Sequence, residues 1–186
     1  MSDASTATAQ KPKSQPRSSG GWRLPVVLAI VAAAVVVAVV PALRNEAQTL
    51  VSTRAAKVAS LAMEPTLHPG QTLLIQSYVG SDPQHGDIVT YHPPNAPNNL
   101  STSRVIAVPG DTIAITSDGV ILNGKQLDEP YAEGDNTFGS GPLATATIAP
   151  DHYFVLSDNR SDSTDSRIFG AVPRADIDGK VAWVVG

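Results

Sequence analysis

The sequence contains no cysteine, and only 5% of its 186 residues are aromatic. The lack of cysteine excludes a disulfide scaffold, a thiol nucleophile and a cysteine metal site, and it leaves the redox compartment open. The four histidines have no ligand-like spacing, so we expect no metal and no cofactor. The sequence also lacks a basic stripe with interleaved aromatics, which argues against a nucleic-acid partner.

Positive charge is scarce after residue 43. The formal net charge is −4, yet residues 1–43 carry +3 and the remainder carries −7. An acidic domain repels phosphate backbones, which again excludes nucleic acid. Four basic residues before an apolar stretch instead suggest a membrane protein whose N-terminus is cytoplasmic.

The apolar stretch is residues 24–43. At 1.5 Å per residue it would span roughly the 30 Å of a bilayer core, so we predict one transmembrane helix. Residues 1–23 are polar and predict a disordered cytoplasmic tail, and residues 44–58 predict a juxtamembrane linker. The alternative is a cleaved signal peptide, because residues 26–40 alone form a shorter apolar run with the small Ala42 beyond it.

Residues 59–186 predict a mainly β domain. Its composition is rich in turn-forming residues, with 14 Gly and 15 Pro in the chain. The turn signals Asp118-Gly119 and Asn123-Gly124 predict a β-meander over residues 112–127, and residues 128–150 predict a long surface excursion. The predicted strands are Thr72–Ser77, Asp87–Tyr91, Arg104–Val108, Thr112–Thr116, Val120–Leu122, Tyr153–Leu156 and Val181–Val185.

Three motifs indicate the function when they are taken together. They are Ser60-Leu-Ala-Met-Glu-Pro-Thr-Leu67, Ser103-Arg-Val-Ile-Ala-Val-Pro-Gly-Asp111 and Ser157-Asp-Asn-Arg-Ser-Asp-Ser-Thr-Asp-Ser-Arg-Ile-Phe-Gly170. Their order and spacing after an N-terminal apolar span resemble those of bacterial signal peptidase I, over roughly residues 24–186. The resemblance implies an antiparallel β domain outside a bacterial cell membrane, anchored by a single pass, and signal peptides of exported precursors as partners.

The resemblance also reveals a departure. The family nucleophile, a serine, aligns with Ala62, and the family general base, a lysine, aligns with Ser103. A methyl group has no lone pair to attack a carbonyl, and a hydroxyl is a weak base near neutral pH. By family the chain would be a serine endopeptidase. We predict that this member is inactive, apart from any slow residual hydrolysis, and that it binds signal peptides or membrane partners.

The other motif residues keep the family pattern more closely. The resemblance implies that Ser60 is an oxyanion donor and that Met63 and Pro65 belong to the substrate site. It implies that Ser163 matches the serine that supports the lysine in the family. It also implies structural support from the charged residues Arg104, Asp158, Arg160, Asp165 and Arg167. Among these we expect Arg104 to pair with Asp158. Leu61 and Ser157 replace family glycines, so Leu61 could crowd the site, and Ser157 would be strained if its backbone needs a positive φ.

Three alternatives follow from the same residues. The chain could be an active peptidase that uses other groups, such as Ser60 with Lys57, or Ser103 with a histidine. It could be an engineered form in which the dyad has been substituted, although the changes at Leu61 and Ser157 favour natural divergence. It could also be a non-enzymatic component of an envelope complex.

Overall fold

In the computed structural model, residues 53–137, 140–141, 143–161 and 164–186 are described. The predicted tail, the predicted span at 24–43 and most of the predicted linker lie outside them. Within the described part of the chain, no helix has the length and apolar character needed to cross a membrane. The linker prediction differs from the structure at its end, because Thr53–Lys57 forms a strand that pairs along its whole length with Thr72–Gln76.

The larger sheet contains five of the predicted strands. Its strands are β1 (Thr53–Lys57), β2 (Thr72–Gln76), β3 (Ile88–Tyr91), β4 (Ser101–Ala107), β9 (His152–Leu156), β10 (Val172–Pro173) and β11 (Ile177–Val185). Their order is β1-β2-β11-β3-β4-β9-β10, and every neighbouring pair is antiparallel. A single helical turn, α1 (Ser166–Phe169), precedes β10, and a 3₁₀ turn, Arg174–Asp176, precedes β11.

The smaller sheet contains the predicted meander. It comprises β5 (Thr112–Thr116), β6 (Gly119–Leu122), β7 (Lys125–Gln126) and β8 (Leu143–Thr147), in the order β7-β6-β5-β8. The turn between β6 and β7 has Asn123 at φ 51° and Gly124 at φ 77°, which is the backbone that an Asn-Gly hairpin turn requires. The meander prediction is confirmed.

Strand β8 corrects the prediction for residues 128–150. That segment does not run over the surface throughout, because Leu143–Thr147 pairs with β5. Four of its five side chains are exposed and it carries little apolar pattern, so its sequence gives no strand signal. Leu143–Thr147 forms a strand because it can hydrogen-bond to the edge of β5 that does not pair with β6.

Three clusters of buried apolar residues hold the sheets. One lies between the smaller sheet and strands β4 and β9, a second lies along β3, β4 and β9, and a third joins Met63 and Leu67 to Leu73 and Ile75 of β2. Gly179 is required in β11, since a Cβ there would lie 2.4 Å from the Gln76 carbonyl oxygen. The third cluster fixes the segment that carries the first motif.

Asp111, the last residue of the second motif, joins three segments. Its carboxylate accepts hydrogen bonds from the Val108 N–H (2.8 Å) and the Asn123 side-chain amide (2.7 Å), and it lies 2.6 Å from His85 Nε2. Burial alone would raise its pKa, but these hydrogen bonds outweigh burial and lower the pKa of Asp111. The ionised carboxylate therefore stabilises the turn between β4 and β5.

Replacing Asp111 with Asn should lower the free energy of unfolding at pH 7 by about 1–3 kcal/mol, the usual value of hydrogen bonds to a charged group. The folded-state pKa is depressed, so this stabilisation is present above the unfolded-state pKa and is lost as pH falls through the folded-state pKa. Urea unfolding of the two proteins at pH 7 and at about pH 3, below the usual aspartate pKa, should show a smaller difference between their free energies at the acidic pH. A difference that stays constant with pH would contradict the role of the ionised form.

Candidate functional site

A single cleft is lined by both Ala62 and Ser103, the two positions that the resemblance aligns with the family nucleophile and general base. Ala62 and Ser103 both line a cavity of about 540 Å³, although 41 residues separate them in sequence. Its lining comes from the segment after β1, the end of β3, the loop before β4, the first residues of β4, and the third motif. The residues are Ala59, Ser60, Ala62, Tyr91, Asn98, Asn99, Leu100, Ser101, Thr102, Ser103, Ser157 and Thr164.

The segment that carries Ala62 is held by Asn159. The Asn159 N–H donates to the Ala62 carbonyl oxygen (3.0 Å), and its side-chain amide donates to the Leu61 carbonyl oxygen (3.3 Å). On the other side, Glu133 N–H donates to the Asp158 carbonyl oxygen (2.9 Å) and Arg160 N–H to that of Glu133 (2.7 Å). The third motif therefore lies between two loops and fixes one wall of the cleft.

Ser103 lies at the bottom of the cleft, among hydroxyl groups. Its Oγ is 3.1 Å from the Tyr91 hydroxyl and 3.2 Å from the Ser157 Oγ. Tyr91 reaches it because Val89 is the register partner of Ser103, and Tyr91 lies two residues further along the same face of β3. Burial raises the pKa of the Tyr91 hydroxyl, with a further contribution from the charge of Asp165, so Tyr91 keeps its proton at neutral pH.

The first-motif candidates separate in the structure. Ser60 lines the cleft. Met63 packs into the core with Leu67, and Pro65 is exposed and lies outside the lining of this cavity, so their place in a substrate site stays a prediction. Leu61 does not crowd the cleft, because its side chain is 47% exposed and is not part of the lining.

The expected pair of Arg104 and Asp158 is present. Arg104 donates from Nε to Oδ1 (2.9 Å) and from Nη2 to Oδ2 (2.6 Å), while Asp158 is fully buried. Thr66 donates its hydroxyl to the same carboxylate. Burial alone would lower the pKa of Arg104, but the hydrogen bond and charge of Asp158 outweigh it and raise the pKa. The pair links the first motif, β4 and the third motif.

The remaining charged positions form a second buried network. Arg160 pairs with Glu129 at 2.6 Å and donates to the Ser157 carbonyl oxygen at 2.9 Å. Arg167 pairs with Asp165 at 2.8 Å, and Asp165 also accepts from the Ser157 N–H at 3.1 Å. These contacts fix Ser157 from both sides. Ser163 lies outside the described residues.

Ser157 is not strained in place of the family glycine. The non-glycine residues with positive φ in the described chain are Asn123 and Asp151, so the backbone at 157 does not need the left-handed region. The expected strain is therefore absent. Its side chain matters instead, because it occupies the space next to Ser103.

Sequence reasoning missed Tyr91, Asn159 and the loop residues Asn98 to Leu100. Asn159 stands inside the third motif, but nothing in its neighbours indicates which carbonyl it reaches. Tyr91 lies outside all three motifs, and only the register of β3 against β4 places it next to Ser103. In the part of the chain that the structure describes, no group of three or more His, Cys, Asp or Glu could hold a metal ion.

The chain matches one protein family and several known relatives. The family model described as signal peptidase, peptidase S26, matches residues 24–185. The chain is 36% identical over 130 residues to a probable signal peptidase I-2 of Synechocystis and 35% identical over 132 residues to a signal peptidase I of Leptolyngbya laminosa. These matches span 66% of this chain but 58% and 64% of those two relatives.

Two further similarities are to proteins of Staphylococcus aureus and Enterococcus faecalis. A signal peptidase IB of Staphylococcus aureus is 32% identical over 139 residues, covering 66% of this chain and 72% of the relative. A crystal structure of a signal peptidase I from Enterococcus faecalis is 29% identical, with a TM-score of 0.47, and covers 55% of this chain and 98% of that one.

Proposed function

Because the chain belongs to the signal peptidase family, peptidase S26, we propose that it binds signal-peptide segments of exported precursors without cleaving them by acylation. The observation that carries the proposal is the cleft in which Ala62 and Ser103 meet. In this proposal the cleft holds the peptide, and Ala62 and Ser103 stand where the family pattern has its nucleophile and general base.

The described lining of the cleft offers no nucleophile and base that act together. Ala62 cannot attack a carbonyl, and the Ser103 hydroxyl already bonds Tyr91 and Ser157. Tyr91 is the one titratable residue in that lining. Because its pKa is raised, its hydroxyl stays protonated at neutral pH and cannot act as a base. Within the described lining, therefore, no residue could act as the general base that activates a serine.

Binding does not depend on the missing dyad. An extended peptide is held by backbone hydrogen bonds and by pockets for alternate side chains, and neither requires a nucleophile. The walls remain fixed by Asn159 and by the Arg104–Asp158 pair. We further propose that residues 24–43 anchor the chain in the bacterial membrane with the described domain outside, as the charge bias before the span favours.

An active site built on Ser60 has less support. Ser60 lines the cleft, but Lys57 is exposed at the end of β1 and takes no part in the lining. None of the four histidines lies in the described lining either. A serine there would lack a base within hydrogen-bond reach.

The test uses the full chain in detergent with a fluorescent precursor peptide that contains an Ala-x-Ala site. We expect saturable binding by fluorescence anisotropy and no cleavage product by mass spectrometry. Leu100→Asp should weaken binding by about 10-fold or more, because it places an unpaired charge beside an uncharged cleft.

Val79→Asp is the matched control, since Val79 is also an exposed apolar residue, at 65%, and lies outside the cleft. It should bind like the unmodified chain. Cleavage at the Ala-x-Ala site would refute the non-catalytic proposal. Stable protein with no peptide binding would refute the peptide site and leave the envelope-complex alternative.

A further inference from the structure

The bottom of the cleft is a row of three buried hydroxyl groups, which we call the hydroxyl floor. It consists of Tyr91, Ser103 and Ser157, with Ser103 in the middle at 3.1 Å and 3.2 Å from its neighbours. The residues are 0%, 1% and 2% exposed, and all three line the cleft. The floor occupies the place where the family pattern has a lysine and a glycine.

Counting protons shows that the floor has one donor to spare. Each hydroxyl carries one proton and can accept two hydrogen bonds. The two contacts within the row use two of the three protons, and no other described residue bonds these oxygens. Whichever way the row is oriented, one buried O–H lacks a protein acceptor in the described chain. A buried donor without an acceptor is destabilising. A ligand atom that enters the cleft and accepts a hydrogen bond from this O–H therefore gains binding free energy.

The chemistry of the lining restricts what that acceptor can be. Every described residue that lines the cleft is uncharged, so a carboxylate or an ammonium group would be buried without a partner charge. In an extended peptide the backbone groups pair along strand edges, while alternate side chains enter pockets. The fitting group is therefore a neutral side chain that carries an acceptor oxygen.

We propose that the hydroxyl floor is a side-chain subsite for a hydroxyl or amide, so that the bound peptide carries Ser, Thr, Asn or Gln at one position. The inference rests on the proposed function, since it specifies which peptides the cleft prefers. It also assigns a role to the residues at 103 and 157. Where the family pattern has a lysine and a glycine, Ser103 and Ser157 would select the side chain of the bound peptide.

The experiment compares Thr with Val, which have the same shape, at each position of the precursor peptide. Binding to the full chain in detergent is measured by fluorescence anisotropy. At one position Thr should bind about 5-fold more tightly than Val, as one net hydrogen bond predicts. Asp and Lys at that position should bind more weakly than Val.

A triple variant, Tyr91→Phe with Ser103→Ala and Ser157→Ala, removes the whole row. Replacing all the partners of a hydrogen-bonded group by apolar ones leaves no buried donor unpaired, so the fold should persist, and a thermal melt checks it. The variant should bind the Thr and Val peptides equally. Thr90→Val is the matched control, because it deletes a buried hydroxyl that lies outside the cleft and has no described partner. It should keep the preference.

The outcomes separate this inference from the proposed function. If the parent peptide binds but Thr and Val are equal everywhere on the unmodified chain, the subsite is refuted and the peptide cleft stands. If the preference survives in the folded triple variant, it arises elsewhere and the subsite is again refuted. If no peptide binds, both proposals fail. The comparison on the unmodified chain decides the matter even if the triple variant does not fold.

Discussion

A triple variant, Ala62→Ser with Ser103→Lys and Ser157→Gly, is expected to cleave an Ala-x-Ala precursor at least about 10⁴-fold faster than the unmodified chain, since loss of a nucleophile or its base costs a serine protease that much or more. Positions 62 and 103 line the same cleft, so both new side chains would lie in its lining. Ser103 is 1% exposed, and burial of that extent would lower the pKa of a lysine placed there. A neutral lysine is the base that a serine nucleophile needs.

The third change decides how well the restoration works. The Ser157 Oγ lies 3.2 Å from the Ser103 Oγ, so a lysine chain growing from position 103 would meet the Ser157 side chain. Glycine removes that side chain, at a cost of up to about 1 kcal/mol in backbone entropy. The double variant without Ser157→Gly should therefore cleave more slowly than the triple variant.

Mass spectrometry of the products over time, with circular dichroism to check the fold, measures the effect. If the folded triple variant leaves the precursor intact, the cleft does not hold the precursor in a geometry that a serine and a lysine at these positions could use. If the unmodified chain already cleaves at the same site, another nucleophile exists, and Ser60→Ala would be the next variant.

The strands that the sequence predicted correctly share local signals. The residues of β5 alternate in burial, and the Asn123-Gly124 turn fixes the pairing of β6 with β7 by chain geometry alone. The same holds for β2, whose Leu73 and Ile75 point to the core. Such elements need no knowledge of distant partners.

The elements that were missed depend on distant partners. Strand β1 has mostly exposed or half-buried side chains, and it forms because β2 offers a free edge. Strand β8 likewise pairs with β5 although its own pattern is weak. Tyr91 belongs with them, since its contact with Ser103 follows from register and not from any motif.

Asp158→Ala should lower the free energy of unfolding by about 3–5 kcal/mol, because removing one partner of a buried ion pair leaves the other charge unpaired. Asp158 is fully buried, and its carboxylate is the shared acceptor for Arg104 and Thr66. The guanidinium of Arg104 would keep its contact with the Tyr131 ring, 4.0 Å from the ring centroid, but would lose both of its charged hydrogen bonds.

Arg54→Ala supplies the matched comparison, since Arg54 pairs with Asp178 at 3.2 Å but is 58% exposed. Solvent screens that pair, so its loss should change stability by no more than about 1 kcal/mol. Urea unfolding of both variants tests the contrast. If both variants lost the same small amount of unfolding free energy, the Arg104–Asp158 pair would not be what holds the site together. The expected large loss at Asp158 alone would mean that one carboxylate joins the segment carrying Ala62, the strand carrying Ser103 and the third motif, so that the cleft persists only while this pair does.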